Sequence, residues 1–201
     1  MLKRMVLSVI VIFLLNGSIF CDKAQADDVS DSIQKAADLY KQKEYSEAIA
    51  ELNFAITQIN SKLTELYKAT FQPALEGYTE GKAEGNSMSV ALLGGGITVT
   101  RKDLRSSGGS LTMELTANSP ILSSIMVMMS NPIFLGDKKL VTINGEKAIK
   151  EWDEENQNGQ LQIPVDNQVL LTFTAVGVPY ADLLATGENF RYDDLRALIK
   201  K

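Results

Sequence analysis

Four short clusters in this sequence have residue types that can bind ions. Clustered carboxylates bind hard cations, thioether sulfurs bind Cu(I), and glycine-rich loops can hold anions. Each cluster lacks the rest of its motif, because no calcium-loop pattern or phosphate-loop Lys-Ser/Thr is present and the methionines fall on different helix faces. Turns, helix starts, core packing and a chain bend explain them better, so we predict no cofactor and no metal site. The clusters are Asp153-Glu154-Glu155, Asp193-Asp194, Met126 with Met128 and Met129, and Gly94-Gly95-Gly96.

The chain contains no histidine. It therefore has no Ser-His-Asp triad, no histidine general base and no His-bearing zinc or copper site. The one cysteine, Cys21, lies in a segment that we predict is removed, which would leave neither a thiol nucleophile nor a thiolate ligand. We predict that the protein is not an enzyme. The alternative is a hydrolase that uses carboxylates or a Ser-Lys pair on cell-envelope material.

The first 26 residues have the three parts of a secretory signal. Lys3 and Arg4 form a basic start, and the eleven residues from 5 to 15 are apolar apart from one serine. This run is too short to span a bilayer as a helix, which needs about 20 apolar residues. Ala24-Gln25-Ala26 supplies the small-x-small pattern of a cleavage site. We therefore predict residues 1–26 to be a signal peptide and the mature chain to be periplasmic.

Two other fates of this segment stay open. Cys21 could receive a lipid, although the bulky Phe20 stands where a lipoprotein signal has a small residue. Ile19 and Phe20 also extend the apolar stretch, so an uncleaved N-terminal helix could hold the protein at the membrane.

The mature chain is acidic. Removing residues 1–26 takes away three basic residues and one acidic residue, which changes the net charge from −5 to −7. Proteins bind nucleic acids and anionic membrane surfaces largely through Lys and Arg. We therefore predict no nucleic-acid binding and no stable membrane insertion after cleavage.

Two amphipathic helices are predicted directly after the leader. Apolar residues from 33 to 40 follow helical spacing, and a polar turn at 41–44 separates them from a longer stripe. The longer stripe advances by three and four residues, which is typical of a helix with one apolar face. We predict helices at about 29–42 and 45–70. The stripe contains Tyr45, Ala48, Ile49, Leu52, Ala55, Ile56, Ile59, Leu63 and Leu66.

The hairpin at 27–71 resembles a single tetratricopeptide repeat. The stretch from Ala36 to Ile56 reads A-x-x-L-Y-K-Q-K-E-Y-S-E-A-I-A-E-L-N-F-A-I, with small residues where two antiparallel helices would meet. It departs from the family pattern at Asn60, where proline is usual, and no second repeat follows. Repeats of this kind are stable by stacking on neighbours. The hairpin must therefore pack on the rest of this chain or on a partner.

The remainder divides into a linker and an α+β domain. Residues 72–86 are rich in glycine and poor in apolar residues, which indicates a hinge with one short strand near Tyr78. Residues 87–201 alternate strand patterns with turn signals, and consecutive hairpins predict an antiparallel sheet. We predict strands at 87–93, 97–104, 111–115, 140–143, 146–152, 160–165 and 168–175. We predict helices at 121–129, largely buried, and at 180–184 and 193–199.

The fold class is therefore α+β, with helices on one face of the antiparallel sheet. The meander through Asn144-Gly145 and the last strand feeding a C-terminal helix resemble the Mog1/PsbP-like group of α/β sandwich domains. The layout is also similar to uncharacterised exported bacterial proteins that join one such hairpin to a small α+β domain. These resemblances imply a fold and no particular activity.

An unpaired repeat-like hairpin, on a chain without imidazole or thiol groups, favours binding over catalysis. We predict an accessory protein that binds another envelope protein or assists an assembly. A small-ligand binder, with a pocket between the sheet and the 121–129 helix, is a further alternative. Tryptophan is enriched at binding hot spots, so the only tryptophan joins the hairpin stripe as a candidate contact. The candidate residues are Tyr45, Ile49, Leu52, Ile56 and Trp152.

Overall fold

A computed structural model describes residues 28–88 and 96–200 of the chain. The predicted signal peptide with Cys21 lies outside the described residues, as do most of the strand predicted at 87–93 and two of the three glycines that follow it.

The described chain begins with two antiparallel helices, as predicted. Helix α1 spans Asp28–Lys41 and helix α2 spans Tyr45–Lys68, and Lys43 makes the tight turn between them with a φ of 66°. Three small residues, Ala36, Ala48 and Ala55, are buried where the helices meet. Their short side chains let the two backbones approach closely, so the alanine positions determine how the hairpin closes.

The second half of α2 packs on the sheet. Its buried residues there are Thr64 and Tyr67, and they lie over strands β2 (Glu84–Met88) and β3 (Gly96–Arg105). The approach is close because Gly85 has no side chain: a Cβ at this position would lie 2.0 Å from the Thr64 methyl carbon. The stretch at 72–86, which we interpreted as a linker, thus supplies β1 (Tyr78–Thr79) and the start of β2.

Within the described residues, eight strands form one antiparallel sheet. The strand order is β1-β3-β4-β8-β7-β6-β5, and β2 also pairs with β3. The turn predicted at Asn144-Gly145 joins β5 to β6, and the turn between the strands predicted at 160–165 and 168–175 joins β7 to β8 through residues 166–168. Strand β8 lies in the middle of the sheet. The remaining strands are β4 (Ser110–Ala117), β5 (Lys139–Ile143), β6 (Glu146–Asp153), β7 (Asn158–Val165) and β8 (Val169–Val176).

The main core lies on one face of the sheet. Residues that point to this face pair across the strands in register, for example Met113 with Phe173 and Phe173 with Leu161. Helices α4 (Tyr180–Glu188) and α5 (Tyr192–Ile199) cover them together with the end of α2. Burial of this apolar face is the main stabilising contribution to the domain.

Helix α3 (Ile121–Ser130) differs from our prediction in two ways. It packs on the opposite face of the sheet, where Leu170 and Ile149 meet it, whereas we predicted all helices on one face. It is also not largely buried, because only Leu122 and Ile125 of the helix are buried. Adjacent residues of a strand point to opposite faces of the sheet. Leu171 packs in the main core, so Leu170 points to the other face and is buried by a different element. The ten-residue helix α3 is long enough to bury Leu170 on this face.

Candidate protein-binding surface

Six large apolar side chains lie exposed along one face of helix α2. We call them the α2 stripe, and their exposed fractions range from 40% to 59%. Single exposed apolar residues are ordinary on protein surfaces, but a continuous row along one helix face makes that face a candidate interaction site. The stripe consists of Tyr45, Ile49, Leu52, Ile56, Ile59 and Leu66.

The upper part of the stripe forms one wall of an apolar groove between the two helices. The groove has a volume of about 780 Å³, and the small side chains of Ala36, Ala37 and Ala48 form its floor. The ring centroids of Tyr40 and Tyr45 are 5.5 Å apart beside the turn of the hairpin. A concave floor of alanines between larger side chains admits an apolar side chain or helix from outside.

Charged residues next to the groove are paired with each other. Lys35 lies 2.5 Å from a carboxylate oxygen of Glu51, and Lys41 lies 2.8 Å from one of Asp38. The hydrogen bond from each lysine holds the pKa of its carboxyl partner below the usual range. The lysines and carboxylates therefore neutralise each other locally, and the groove between them stays apolar.

The structure brings four of the five predicted contact residues onto one surface. Tyr45, Ile49 and Leu52 line the groove, and Ile56 continues the same face of α2. Helix α1 also presents apolar residues here that were not among the predicted contacts, because Ile33 is 47% exposed and Tyr40 is 67% exposed. Their helical spacing was visible, but the sequence could not show that α2 leaves them uncovered.

The fifth predicted residue, Trp152, lies elsewhere. It is on β6, four strand positions from β3, which places it roughly 19 Å across the sheet from the strand under α2. Its ring packs on Tyr180 of α4 with centroids 5.2 Å apart, and its indole N–H donates to Glu154. Trp152 is only partly exposed and already has partners within the domain.

A second groove, of about 530 Å³, lies beside Trp152 and includes three carboxylates, those of Asp137, Glu151 and Asp153. Hydrogen bonds from Lys138 and Gln160 lower the pKa of Glu151, and hydrogen bonds from Asn156 lower that of Asp153. Hydrolysis by paired carboxylates needs one group held protonated by a raised pKa. The lowered values do not favour the hydrolase alternative at this groove.

In the two acidic clusters of the sequence, Asp153 and Asp193 have partners within the described residues. The carboxylate of Asp153 accepts hydrogen bonds from the backbone N–H groups of Glu155 and Asn156, which stabilises the turn that follows it. Asp193 forms an ion pair with Arg196 at 3.4 Å. In residues 28–88 and 96–200 no group of three or more acidic, cysteine or histidine residues is arranged to hold a metal ion. The same part of the chain contains no helix that is both long and apolar enough to cross a bilayer.

No protein-family model, curated protein or solved structure matches this chain. The resemblances to a tetratricopeptide repeat and to the Mog1/PsbP-like group stay predictions, and the candidate site depends on the geometry of the hairpin alone.

Proposed function

We propose that this protein is an exported, non-enzymatic accessory factor that binds another protein of the cell envelope through its helical hairpin. The observation that carries the proposal is the exposure of the α2 stripe. The sheet and helices α4 and α5 bury an ordinary core without these residues, so the stripe is not needed to complete the domain.

The energetics favour an occupant for this surface. Covering a half-exposed Ile or Leu contributes roughly 1 kcal/mol, at the usual value of about 25 cal/mol per Å² of apolar area. Six such side chains would contribute about 6 kcal/mol before the entropic cost of association is subtracted, and the groove beside them adds further apolar contact. Tyr45 is suited to an anchoring role, because tyrosine provides a large contact area at a small cost in side-chain entropy.

Export is the second part of the proposal. The basic start, short apolar run and Ala24-Gln25-Ala26 pattern support cleavage after residue 26, which would place the protein in the periplasm. The mature chain contains no cysteine, so folding there requires no disulfide.

Site-specific photo-cross-linking in intact cells tests the proposal. A photoreactive residue replaces Ile49 or Leu52, and the matched control replaces Phe54, which is 46% exposed on the same helix. Phe54 lies roughly 160° around the helix from Leu52. We expect a discrete cross-linked protein from the two stripe positions only, and reconstituted binding to that purified protein that is lost in Ile49→Glu.

Two outcomes would contradict the proposal. One is the absence of any cross-linked protein from the stripe, and the other is the same products from Phe54 as from Ile49. Either would mean that the stripe does not select a partner.

A further inference from the structure

Two adjacent apolar side chains lie exposed directly after helix α3. The chain makes one 3₁₀ turn there, Pro132–Leu135, and its last residue, Leu135, is buried. Ile133 is 85% exposed and Phe134 is 58% exposed, and we call these two residues the apolar tip. Among the large apolar residues that the structure describes, Ile133 has the highest exposed fraction. The tip therefore contributes little to the core, and an exposed apolar feature of this kind indicates contact with a partner or a membrane.

The surface around the tip carries no charge. The 22 residues from 115 to 136 contain no charged side chain, in a chain where 22% of the residues are charged. On α3, Val127 is 58% exposed, and it lies about 200° around the helix from Ile125, which packs on the sheet. A bilayer strongly disfavours charged groups. The tip and the exposed side of α3 can therefore enter lipid without transferring a charge.

The polar groups next to the tip are already paired within the chain. The backbone N–H of Ile133 donates to the side-chain oxygen of Asn131 at 3.2 Å, and that of Phe134 donates to the Asn131 carbonyl at 3.0 Å. The hydroxyl of Ser130 donates to the Met126 carbonyl at 2.8 Å. An unpaired donor is costly in hydrocarbon, where no water can accept it. A protein partner could supply acceptors of its own, so this internal pairing favours lipid.

The charged residues that follow the tip limit how deeply it can enter. They are Asp137, Lys138 and Lys139. Lys138 lies 2.8 Å from a carboxylate oxygen of Glu151, so one nearby negative charge is already neutralised. Charged groups stay at the level of the lipid headgroups, where lysines can contact phosphates. The tip would therefore enter by about one layer of side chains.

We propose that the apolar tip binds the surface of a phospholipid bilayer, with Ile133 and Phe134 among the acyl chains just below the headgroups. Helix α3 has ten residues and is too short to span a bilayer, so the contact is reversible, is confined to one leaflet and differs from stable insertion. Apolar side chains carry the binding, and the acidic net charge of the chain therefore does not prevent it.

This inference goes beyond the proposed function, because it concerns a different surface. Helix α3 and the tip lie on the face of the sheet opposite the one that α2 covers. A protein held on a bilayer by its tip would therefore keep the α2 stripe free for another protein.

Tryptophan fluorescence at the tip tests the inference, with protein purified from cells that export it. The reporter variant Phe134→Trp/Trp152→Phe has its only tryptophan in the tip. The matched control, Leu104→Trp/Trp152→Phe, has it at a 54% exposed position on β3, five strand positions and roughly 24 Å from β5. With vesicles of phosphatidylethanolamine and phosphatidylglycerol, we expect a blue shift, and quenching by brominated acyl chains, in the reporter only.

Flotation with the same vesicles measures the strength of binding. Ile133→Glu/Phe134→Glu should weaken binding by at least about tenfold, because two charges would have to enter the lipid. The matched control, Ile49→Glu/Ile56→Glu, adds the same charges to the α2 stripe and should leave binding unchanged within about threefold. Binding should also persist in about 1 M salt, because apolar contacts are not screened. Circular dichroism checks that both variants keep the helical content of the parent.

Three outcomes would overturn the inference. The first is a parent protein that neither floats with the vesicles nor shows the blue shift of its reporter. The second is equal flotation of the parent and the tip variant, which would assign lipid binding to another part of the chain. The third is a tip that cross-links to a protein in cells and does not bind vesicles. None of them affects the proposed function, which depends on cross-links from the α2 stripe.

Discussion

The guanidinium of Arg101 donates a hydrogen bond to the carboxylate of Asp103 at 2.8 Å, and both side chains are almost completely buried. The two residues lie on the same strand, β3, and point to the covered face of the sheet. Asp103 also accepts the backbone N–H of Gly81 at 3.0 Å, which ties the chain between β1 and β2 to β3. This pair therefore anchors the segment that follows α2.

Asp103→Ala should lower the free energy of unfolding by about 2 kcal/mol or more, because the buried Arg101 cation then keeps only the half-exposed Glu80, 3.5 Å away, as a counter-charge. The double variant Arg101→Leu/Asp103→Leu should be more stable than Asp103→Ala, since apolar residues can replace a buried ion pair at little cost. Urea unfolding followed by circular dichroism measures both. A loss of less than about 1 kcal/mol in Asp103→Ala would contradict this, and would show that Glu80 or water compensates the charge of Arg101.

The contact between Gly85 and Thr64 predicts a size limit under α2. Gly85→Ala should cost about 1–3 kcal/mol, because the new methyl group would overlap the Thr64 methyl carbon. Thr64→Ser removes that methyl and keeps the hydroxyl that donates to the Asn60 carbonyl at 2.8 Å, so the double variant should recover part of the loss.

Gly187→Ala is the matched control for that experiment. A Cβ at Gly187 meets its nearest neighbours at ordinary contact distances of 3.5 Å and more, and the residue lies in a helix. We expect no loss of stability there. Equal losses at the two glycines would point to a backbone effect common to both positions and not to a collision under α2.

Alkaline pH should destabilise the protein through tyrosines that are buried, as Tyr67 and Tyr192 are, or half-buried, as Tyr78 is. Burial raises the pKa of Tyr67, Tyr78 and Tyr192, and for Tyr78 the hydrogen bond that it donates to Asp182 at 2.7 Å adds to the effect. Above about pH 10 these tyrosines lose protons in the unfolded chain first. Their stabilisation is therefore complete below that pH and is lost as the pH rises towards the folded-state values.

Urea midpoints measured from pH 8 to pH 11 check this direction. Tyr78→Phe should cost roughly 1 kcal/mol at neutral pH, because it leaves Asp182 without its donor. The same variant should show a shallower loss of stability in alkali, since one of the tyrosines with a raised pKa is gone. A midpoint that rises between pH 10 and pH 11 would contradict the burial of these hydroxyls.

The ring contact between Trp152 and Tyr180 should be coupled energetically. A double-mutant cycle with Trp152→Ala and Tyr180→Ala should give an interaction energy of about 0.5–1.5 kcal/mol, the usual range for an aromatic pair. The Trp152→Ala variant should keep the association properties of the parent, because Trp152 and the α2 stripe lie on different elements. A strong effect on association would return Trp152 to the binding surface.

The helices and hairpins of this chain could be predicted from local sequence patterns. The Asn144-Gly145 turn, the alternation in β4 and the stripe on α2 are features of a few adjacent residues, and each predicted its element correctly. The bounds of α2 were predicted within two residues, although the helix stops at Lys68 and not near residue 70.

The packing of elements that are distant in the sequence could not be predicted from local patterns. The side of the sheet that α3 covers depends on Ile149 and Leu170, which come 19 and 40 residues after the end of the helix. The strand predicted at 87–93 begins three residues earlier, at Glu84, because the polar residues at its start show little alternation. At the candidate site the sequence identified the stripe, but only the packing of α1 and β2 around α2 shows that nothing in residues 28–88 and 96–200 buries it.

Helix α2 is continuous from its contact with α1 to its contact with the sheet, and this continuity has a mechanical consequence. Twenty-four residues form a rod about 36 Å long, without a glycine or proline at which it could bend. A force applied at the hairpin turn is therefore transmitted through α2 to β2 and β3, which it contacts. The hairpin and the sheet are rigidly joined through Thr64 and Tyr67. A molecule that binds the turn of the hairpin would therefore also fix the orientation of the sheet.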